Sequence, residues 1–240
     1  MSNPNAAMLV IGDEILSGRT RDSNMYHLAR ELTRAGIDLR ETRVIGDDAD
    51  TIVAVVRMLA RGHDHLFTSG GIGPTHDDIT AEAVAAALGR PISVREDARA
   101  MLAAHYAARG QDLNAARLRM ARIPDGATLI DNPVSGAPGF SVDNVHVMAG
   151  VPQIFEAMLE GLLPGLTGGR PLSSDSRMVE RGEGDIAAPL ADLAARFPEI
   201  SVGSYPFFHA GRQGVQVVIR GADAARVSAA MAELAEMFPE

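Results

Sequence analysis

The chain has 240 residues, of which 46% are hydrophobic and 22% charged, and its formal net charge is −9. This length buries about three-quarters of the unfolded surface, so folding needs neither disulfides nor a metal. An acidic chain repels nucleic acid and anionic membranes, and we expect neither as a partner. The absence of Cys and Lys excludes thiolate chemistry, a Schiff base and a P-loop lysine. With no signal peptide and no apolar segment long enough to span a bilayer, we expect a cytoplasmic protein.

The first ninety residues alternate between strand and helix patterns. A short apolar run that ends at Gly12 is typical of a buried parallel strand. Asp22–Asn24 can cap the helix that follows, and Gly36 can end it. The predicted elements are strands at 6–11, 38–45 and 65–69 and helices at 24–35, 51–60 and from Asp77 or Asp78 through Leu88. This order predicts an α/β fold with a mostly parallel sheet and helices on both faces, in three layers.

The remainder of the chain divides into two parts. Helices are predicted at 96–108, 115–121 and 152–163, strands at 128–131 and 145–149, and a Gly/Pro-rich loop at 132–140. A linker at 166–175 is followed by strands at 177–180, 200–204 and 214–220 and helices at 186–196 and 222–237. We therefore expect an α/β domain over residues 1–168 and a small α+β lobe over residues 169–240.

The segment Ser69-Gly-Gly-Ile-Gly-Pro-Thr75 is the strongest local signal. Gly70, Gly71 and Gly73 let a ligand approach the backbone, and the N-terminus of the next helix favours an anion. His76 stands where a dinucleotide fingerprint has its last glycine, and no Gly-Lys-Ser/Thr is present. The segment predicts a phosphate-binding loop. The alternative is a tight turn without a ligand.

Acidic residues follow three consecutive strands. Asp77 and Asp78 follow the glycine loop, and since one can cap the helix, the other could hold a divalent cation that bridges to phosphate. After the second strand, Asp48 is the better cap, which leaves Asp47 facing the cleft. Gly12-Asp13-Glu14 and Gly18…Asp22 follow the first strand. Carboxyl ends of parallel strands lie at one edge, so these loops converge there. The alternative is a set of solvated turns and caps.

Histidines and arginines give weaker signals. His63 and His65 share a strand face but precede the cleft edge, so we expect an ordinary surface role. His76 could contact the phosphate, or it could lie at the edge of the helix without a role in binding. Four arginines could clamp an anion, although a solvated face is the default interpretation: Arg109, Arg117, Arg119 and Arg122.

Five motifs of the chain form a recognisable set: Gly12-Asp13-Glu14-Ile15-Leu16 with Gly18, Asp22 and Asn24, then Asp47-Asp48, then Ser69-Gly-Gly-Ile-Gly-Pro-Thr-His-Asp-Asp-Ile-Thr80, Asn132-Pro-Val-Ser-Gly-Ala-Pro-Gly-Phe140 and Ala149-Gly-Val-Pro152. This set resembles the molybdopterin-binding domain family, which includes MoaB/Mog-like proteins, and especially the N-terminal domain of the competence/damage-inducible CinA proteins. The match covers roughly residues 6–163, and residues 203–220 resemble the small C-terminal lobe of CinA proteins. Two positions depart from the pattern: Ser69 replaces a usual Thr, and Ser135-Gly136-Ala137 replaces a usual Gly-Thr-Ala.

The resemblance implies a site and a class of reaction. Asp47 and Asp78 align with functional acidic positions, which implies catalytic roles and metal ligation by Mg, Co or Ni. The implied ligand contacts are Gly12, Asp13, Glu14, Gly18, Asp22, Asn24, Ser69, Gly70, Gly71, Gly73, Pro74, Thr75, Asp77, Thr80, Asn132, Ser135, Gly136 and Pro138. A homo-oligomer is also implied. The amidohydrolase domain of longer CinA proteins has no counterpart, so we do not expect hydrolysis of nicotinamide mononucleotide.

Three functions stay open at this point. The first is a metal-dependent pyrophosphatase that cleaves ADP-ribose-like molecules. The second is a protein of molybdenum-cofactor biosynthesis that binds molybdopterin and adenylylates it. The third is a non-catalytic module that binds a nucleotide.

Overall fold

The computed structural model describes residues 3–209 and 212–239. The chain forms two compact units that divide after Gly169. The first unit holds every element up to residue 169, and the second holds three strands and two helices.

The first unit is built on a six-stranded sheet. Its strands are β1 (Asn5–Ile11), β2 (Asp38–Ile45), β3 (His65–Ser69), β6 (Thr128–Ile130), β7 (Gly139–Val142) and β8 (Val145–Met148). Their order across the sheet is β2-β1-β3-β8-β7-β6, and β2, β1, β3 and β8 run parallel. β7 is antiparallel to both of its neighbours. The predicted α/β fold with a mostly parallel sheet is confirmed.

Helices cover both faces of this sheet because alternate residues of the strands point to opposite sides. Leu9 of β1 packs into one core with α3 (Ala49–Gly62), α4 (Thr80–Leu88) and α5 (Glu96–Ala107). Met8, its neighbour, packs into the other core with α2 (Asn24–Ala35) and α7 (Pro152–Leu162). Short segments complete the helices of this unit: α1 (Asp13–Leu16), α6 (Ala115–Leu118), a 3-10 turn at Arg119–Ala121 that continues α6 and another at Leu163–Gly165 that continues α7.

The second unit is a three-stranded antiparallel sheet in the order β10-β11-β9, with helices α8 (Glu183–Arg196) and α9 (Ala224–Met237). The strands are β9 (Ser173–Val179), β10 (Ser201–His209) and β11 (Arg212–Gly221). Val215, Val217 and Ile219 alternate along β11 and are buried against the helices, which gives this unit its own core.

Several predicted boundaries need correction. The predicted linker at 166–175 runs into β9, which begins at Ser173 because its residues pair with β11. The predicted loop at 132–140 ends in β7, and residues 13–16 form a short helix rather than a loop. A separate two-stranded sheet, β4 (Ile92–Val94) with β5 (Arg122–Pro124), was not predicted. Within residues 3–209 and 212–239, no helix has both the length and the apolar character that a bilayer crossing requires.

Candidate functional site

The glycine loop after β3 has a backbone conformation that strongly favours glycine at two positions. Gly70 and Gly71 have φ of +109° and +68°, in the region that L side chains rarely occupy. A Cβ on Gly70 would lie 2.1 Å from the carbonyl oxygen of Ile11, and one on Gly71 would lie 2.1 Å from Thr80 Oγ1. The two glycines therefore bring the loop into contact with β1 and with the start of α4.

The loop leaves a short run of backbone amides unpaired. Gly70 N–H donates to the Met148 carbonyl (3.2 Å), and Thr75 N–H donates to Asp78 Oδ2 (2.8 Å). Among the described residues, by contrast, no acceptor faces the N–H groups of Gly71, Ile72 and Gly73. Glycine-rich loops that precede a helix bind anions through such amides.

Asp78 closes the loop rather than capping the helix. Its Oδ2 accepts both the N–H and the hydroxyl of Thr75, the latter at 2.6 Å. α4 begins at Thr80 after Ile79, and no side chain caps it. The prediction that Asp77 or Asp78 caps this helix is therefore wrong, because the two residues lie within a turn that precedes it. Pro74 is exposed in that turn.

Asp47 lies in a concentration of negative charge. The N–H of Asp13 donates to Asp47 Oδ2 at 3.0 Å, which brings the loops after β1 and β2 together. Burial raises the pKa of Asp47, and the charges of Asp13, Glu14 and Asp77 raise it further, while the bond from Asp13 N–H works in the opposite direction. The charges that act on Asp47 thus include that of Asp77, while Asp78, the acid predicted to share the metal with Asp47, is bonded to Thr75.

Asp48 has the structural role predicted for it. Its Oδ1 accepts the N–H of Thr51 (2.9 Å) and the hydroxyl of the same residue (2.6 Å), which caps α3. The hydroxyl bond is the largest cause of the lowered pKa of Asp48. Asp48 and Asp47 are therefore adjacent acids with different surroundings. Asp48 caps α3, whereas Asp47 is surrounded by the charges of Asp13, Glu14 and Asp77, and we call these four residues the acidic cluster.

The acidic cluster suits a hard cation that also binds a ligand. Its donors are carboxylate oxygens, which Mg²⁺ prefers. In the part of the chain that the structure describes, no three His, Asp or Glu side chains come close enough to form a metal site by themselves. Mg²⁺ commonly takes one or two protein carboxylates and completes its shell with water and phosphate oxygens. The residues present fit a cation held jointly with a phosphate.

Asn24 anchors α2 to the strand ends. Its side chain is 3% exposed, and Nδ2 donates to Ser69 Oγ (2.7 Å) and to the Gly150 carbonyl (2.8 Å). Asp22 stands before it and accepts the N–H groups of Asn24 and Met25. Ser69 is itself buried. Asn24 and Ser69 therefore join the loop to its support, and a small recess opens beside them.

The other ligand contacts predicted after β1 lie in two places, at the edge of the sheet and in the turn after α1. Glu14 lines the recess beside Asn24, and Gly12 is held by a bond from its N–H to the Ile45 carbonyl (3.0 Å). Gly18 lies in the exposed turn after α1. Thr80 is fully buried beneath Gly71, and its N–H donates to the Gly71 carbonyl (3.0 Å), which holds the loop from below.

The Asn132–Pro138 loop is held by its own first residue. Asn132 is 2% exposed; its Nδ2 donates to Ser135 Oγ (2.6 Å) and its Oδ1 accepts the Ser135 N–H (3.0 Å). Gly136 packs against His105, where a Cβ would lie 2.3 Å from the ring. Pro138 alone of these lines a recess beside the glycine loop.

Arg119 is one of two residues of this recess, with Arg122, for which the sequence left open an anion clamp and a solvated face. It lines the recess together with Gly71, Gly73 and Pro138. Its Nη2 donates to the Asp78 carbonyl at 3.2 Å, and its Nε is buried without an acceptor. The signal for such a residue was the charge balance, because an acidic chain needs a local cation to hold a phosphate.

Other arginines and histidines of the sequence analysis have partners within the protein. Arg117 lies over the Tyr106 ring at 4.2 Å, and Arg122 pairs with Glu82 at 2.6 Å. His65 contacts His146, with 3.2 Å between Nδ1 and Nε2. Burial and the neighbouring His65 lower the pKa of His146 to about 4. This pair is far along β3 from the glycine loop, and the participation of His146 was not predicted.

Comparisons with known proteins agree with this fold. The family model described as "Probable molybdopterin binding domain" matches residues 7–168, and the one described as "FAD synthase, middle domain" matches residues 171–240. A protein of Archaeoglobus fulgidus is 31% identical over 232 residues, which are 96% of each chain. A CinA-like protein of Desulfosudis oleivorans is 34% identical over 209 residues, 82% of this chain but 51% of that protein.

A solved structure is similar to the first unit. It is the CinA protein of Thermoplasma acidophilum, described as being of unknown function, with 38% identity and a TM-score of 0.63. The alignment covers 68% of this chain and 97% of that one.

Proposed function

The chain belongs to the molybdopterin-binding domain family, and from this premise we propose that it binds a phosphate-bearing nucleotide-like or pterin-like ligand and hydrolyses ADP-ribose-like pyrophosphates with the help of a divalent cation. The observation that carries the proposal is the run of unpaired amides from Gly71 to Gly73 next to the acidic cluster around Asp47. Amides of this kind hold phosphate oxygens, and carboxylates hold a cation beside them.

The chain's own groups would prepare the reaction by placing the pyrophosphate. The unpaired amides orient one phosphate, since N–H groups fixed by the backbone need no reorganisation when charge develops on oxygen. Asp13 N–H fixes one oxygen of Asp47, and no further hydrogen bond to this carboxylate occurs among the described residues. Its other oxygen can therefore bind a cation or accept a proton from water. A bound Mg²⁺, Co²⁺ or Ni²⁺ would polarise a phosphoryl oxygen and lower the pKa of a bound water.

The proposal is tested by product analysis. The purified chain is incubated with ADP-ribose and, separately, with FAD, each with Mg²⁺, Co²⁺ or Ni²⁺ and with a chelator. FAD belongs in the test because residues 171–240 match the model named for FAD synthase. We expect AMP from ADP-ribose only with a cation. A chain that binds ADP-ribose but releases no AMP with any of the three metals would refute the catalytic part.

Two adjacent acids give a matched control. Asp47→Asn removes a carboxylate of the acidic cluster, and we expect loss of AMP release with the fold retained. Asp48→Asn changes the next residue by the same atoms, and because Asn is also a good N-cap, we expect near-normal activity. Asp78→Asn tests the second acidic position that the resemblance implies, and we expect loss of turnover because its carboxylate holds Thr75 at the end of the glycine loop. Equal activities of the Asp47 and Asp48 variants would remove Asp47 from the mechanism.

The second candidate function is molybdopterin binding with adenylylation, and the family match supports its molybdopterin-binding part. Incubation with ATP, Mg²⁺ and molybdopterin would then yield an adenylylated pterin, while ADP-ribose would stay intact. Ligand binding without any product would leave a non-catalytic nucleotide-binding module. Mass spectrometry of the products separates the three outcomes. A homo-oligomer remains part of the proposal, and its test is the molar mass in solution.

A further inference from the structure

We propose that the ligand is a diphosphate whose two phosphates are held in different ways, one by Arg119 without any metal and the other beside the acidic cluster with a cation. The inference rests on the proposed function for the existence of a phosphate ligand. It assigns Arg119 as a binding residue and names the recess lined by Gly71, Gly73, Arg119 and Pro138 as the metal-independent subsite.

Arg119 is a cation without a counterion. Its one hydrogen bond among the described residues goes to a neutral acceptor, the carbonyl of Asp78 (3.2 Å), and it forms no ion pair there. Its Nε lies buried without an acceptor. A buried donor on a charged group is costly unless an acceptor satisfies it. A phosphate oxygen would supply both the acceptor and the missing negative charge.

The other cation of the recess is paired. Arg122 and Glu82 line the recess too, and they form an ion pair at 2.6 Å. Asp78 also lines it, and its carboxylate accepts hydrogen bonds from the neutral Thr75. Arg119 is thus the cation of the recess that forms no direct ion pair among the described residues, and the unpaired N–H groups of Gly71 and Gly73 border the same space.

The sheet order places the two charge environments on opposite sides of the glycine loop. The loop follows β3, and the acidic residues Asp13 and Asp47 follow β1 and β2 on one side of it. Phe140 of β7, which lines the Arg119 recess, lies on the other side, beyond β8. A phosphate on the Arg119 side can bind a guanidinium and unpaired amides, whereas one on the Asp47 side meets carboxylates whose charge a cation must neutralise.

The experiment compares anion binding with and without metal. Isothermal titration of the whole chain with AMP in excess chelator measures the subsite alone, and titration with ADP in Mg²⁺ measures both. We expect AMP to bind without metal and Arg119→Gln to weaken it tenfold or more, since charge-assisted bonds are lost. Arg90→Gln is the control, because Arg90 pairs with Asp143 at 2.7 Å away from the recess, and it should bind AMP like wild type.

The outcomes separate this inference from the proposed function. If wild type binds no AMP in chelator, or if Arg119→Gln binds it normally, the inference is wrong even when ADP-ribose is hydrolysed with metal. If AMP binding depends on Arg119 but no substrate is hydrolysed, the inference stands and the catalytic proposal fails. Should Arg119→Gln fail to fold, Arg119→Lys keeps the charge without the planar fork. It should bind AMP more weakly than wild type, and wild-type affinity in that variant would also refute the role.

Discussion

Replacing Gly71 with Ala tests how closely the glycine loop packs. Gly71 has φ of +68°, which costs an L residue about 1–2 kcal/mol. The added Cβ would also lie 2.1 Å from Thr80 Oγ1, where overpacking of a buried group costs about 1–3 kcal/mol. Gly71→Ala should therefore lower the free energy of unfolding by about 2–5 kcal/mol.

Gly89→Ala separates the two causes. Gly89 has nearly the same φ, +66°, but a Cβ there would meet nothing within 4 Å. It should cost only the conformational strain, about 1–2 kcal/mol. Urea unfolding of both variants, followed by circular dichroism, gives the two costs. Equal losses of stability would refute the close packing of Gly71 over Thr80.

A double-mutant cycle sharpens the same test. Thr80 Oγ1 is buried and makes no hydrogen bond in the described structure, so Thr80→Ala loses little polar energy while it makes room for the new methyl group. Adding Thr80→Ala to Gly71→Ala should recover about 1–3 kcal/mol relative to additivity. Additive losses would show that the two residues do not interact.

Three further predictions concern the supports of the site. Asp48→Ala should lower the urea concentration at the unfolding midpoint because α3 loses its cap, and an unchanged midpoint would contradict that role. Asn24→Ala should cost about 1–3 kcal/mol, since the Gly150 carbonyl and Ser69 hydroxyl lose their donor, and it should weaken AMP binding. His146 has a folded-state pKa of about 4, below its unfolded value, so its contribution is present above pH 6.5 and is lost as the pH falls toward 4. His146→Gln should flatten stability against pH in that window; an unchanged slope would count against it.

The sequence predicted the first half of the site well because its signals are local. The bounds of β2 and β3 agree with the prediction, and α2 ends at Gly36 as expected. Apolar runs that end in glycine define buried strands, and the glycine loop needs no distant partner for its shape. The division of roles between Asp48 and Asp47 also follows from chain order, because a cap must immediately precede its helix.

The rest depends on contacts that sequence spacing does not contain. Gly139 and Phe140, the first half of β7, were assigned to a Gly/Pro-rich loop, because β7 becomes a strand only by pairing with β8 through a turn at Asp143, which has φ of +51°. For Arg119 a solvated helix face was the default interpretation and an anion clamp the alternative, but α6 ends at Leu118, a 3-10 turn follows, and Arg119 lines the recess beside the glycine loop. The bond between Asp13 and Asp47 joins loops 34 residues apart.

The most direct test of the central claim follows the backbone amides themselves. Nitrogen-15 NMR of the labelled chain, titrated with inorganic phosphate in chelator, reports each N–H group separately. The account predicts that the signals of Gly71, Ile72 and Gly73 shift together, while those of Gly89 and Gly126 stay in place. Signals of the loop that remain unmoved while phosphate binds elsewhere would contradict it.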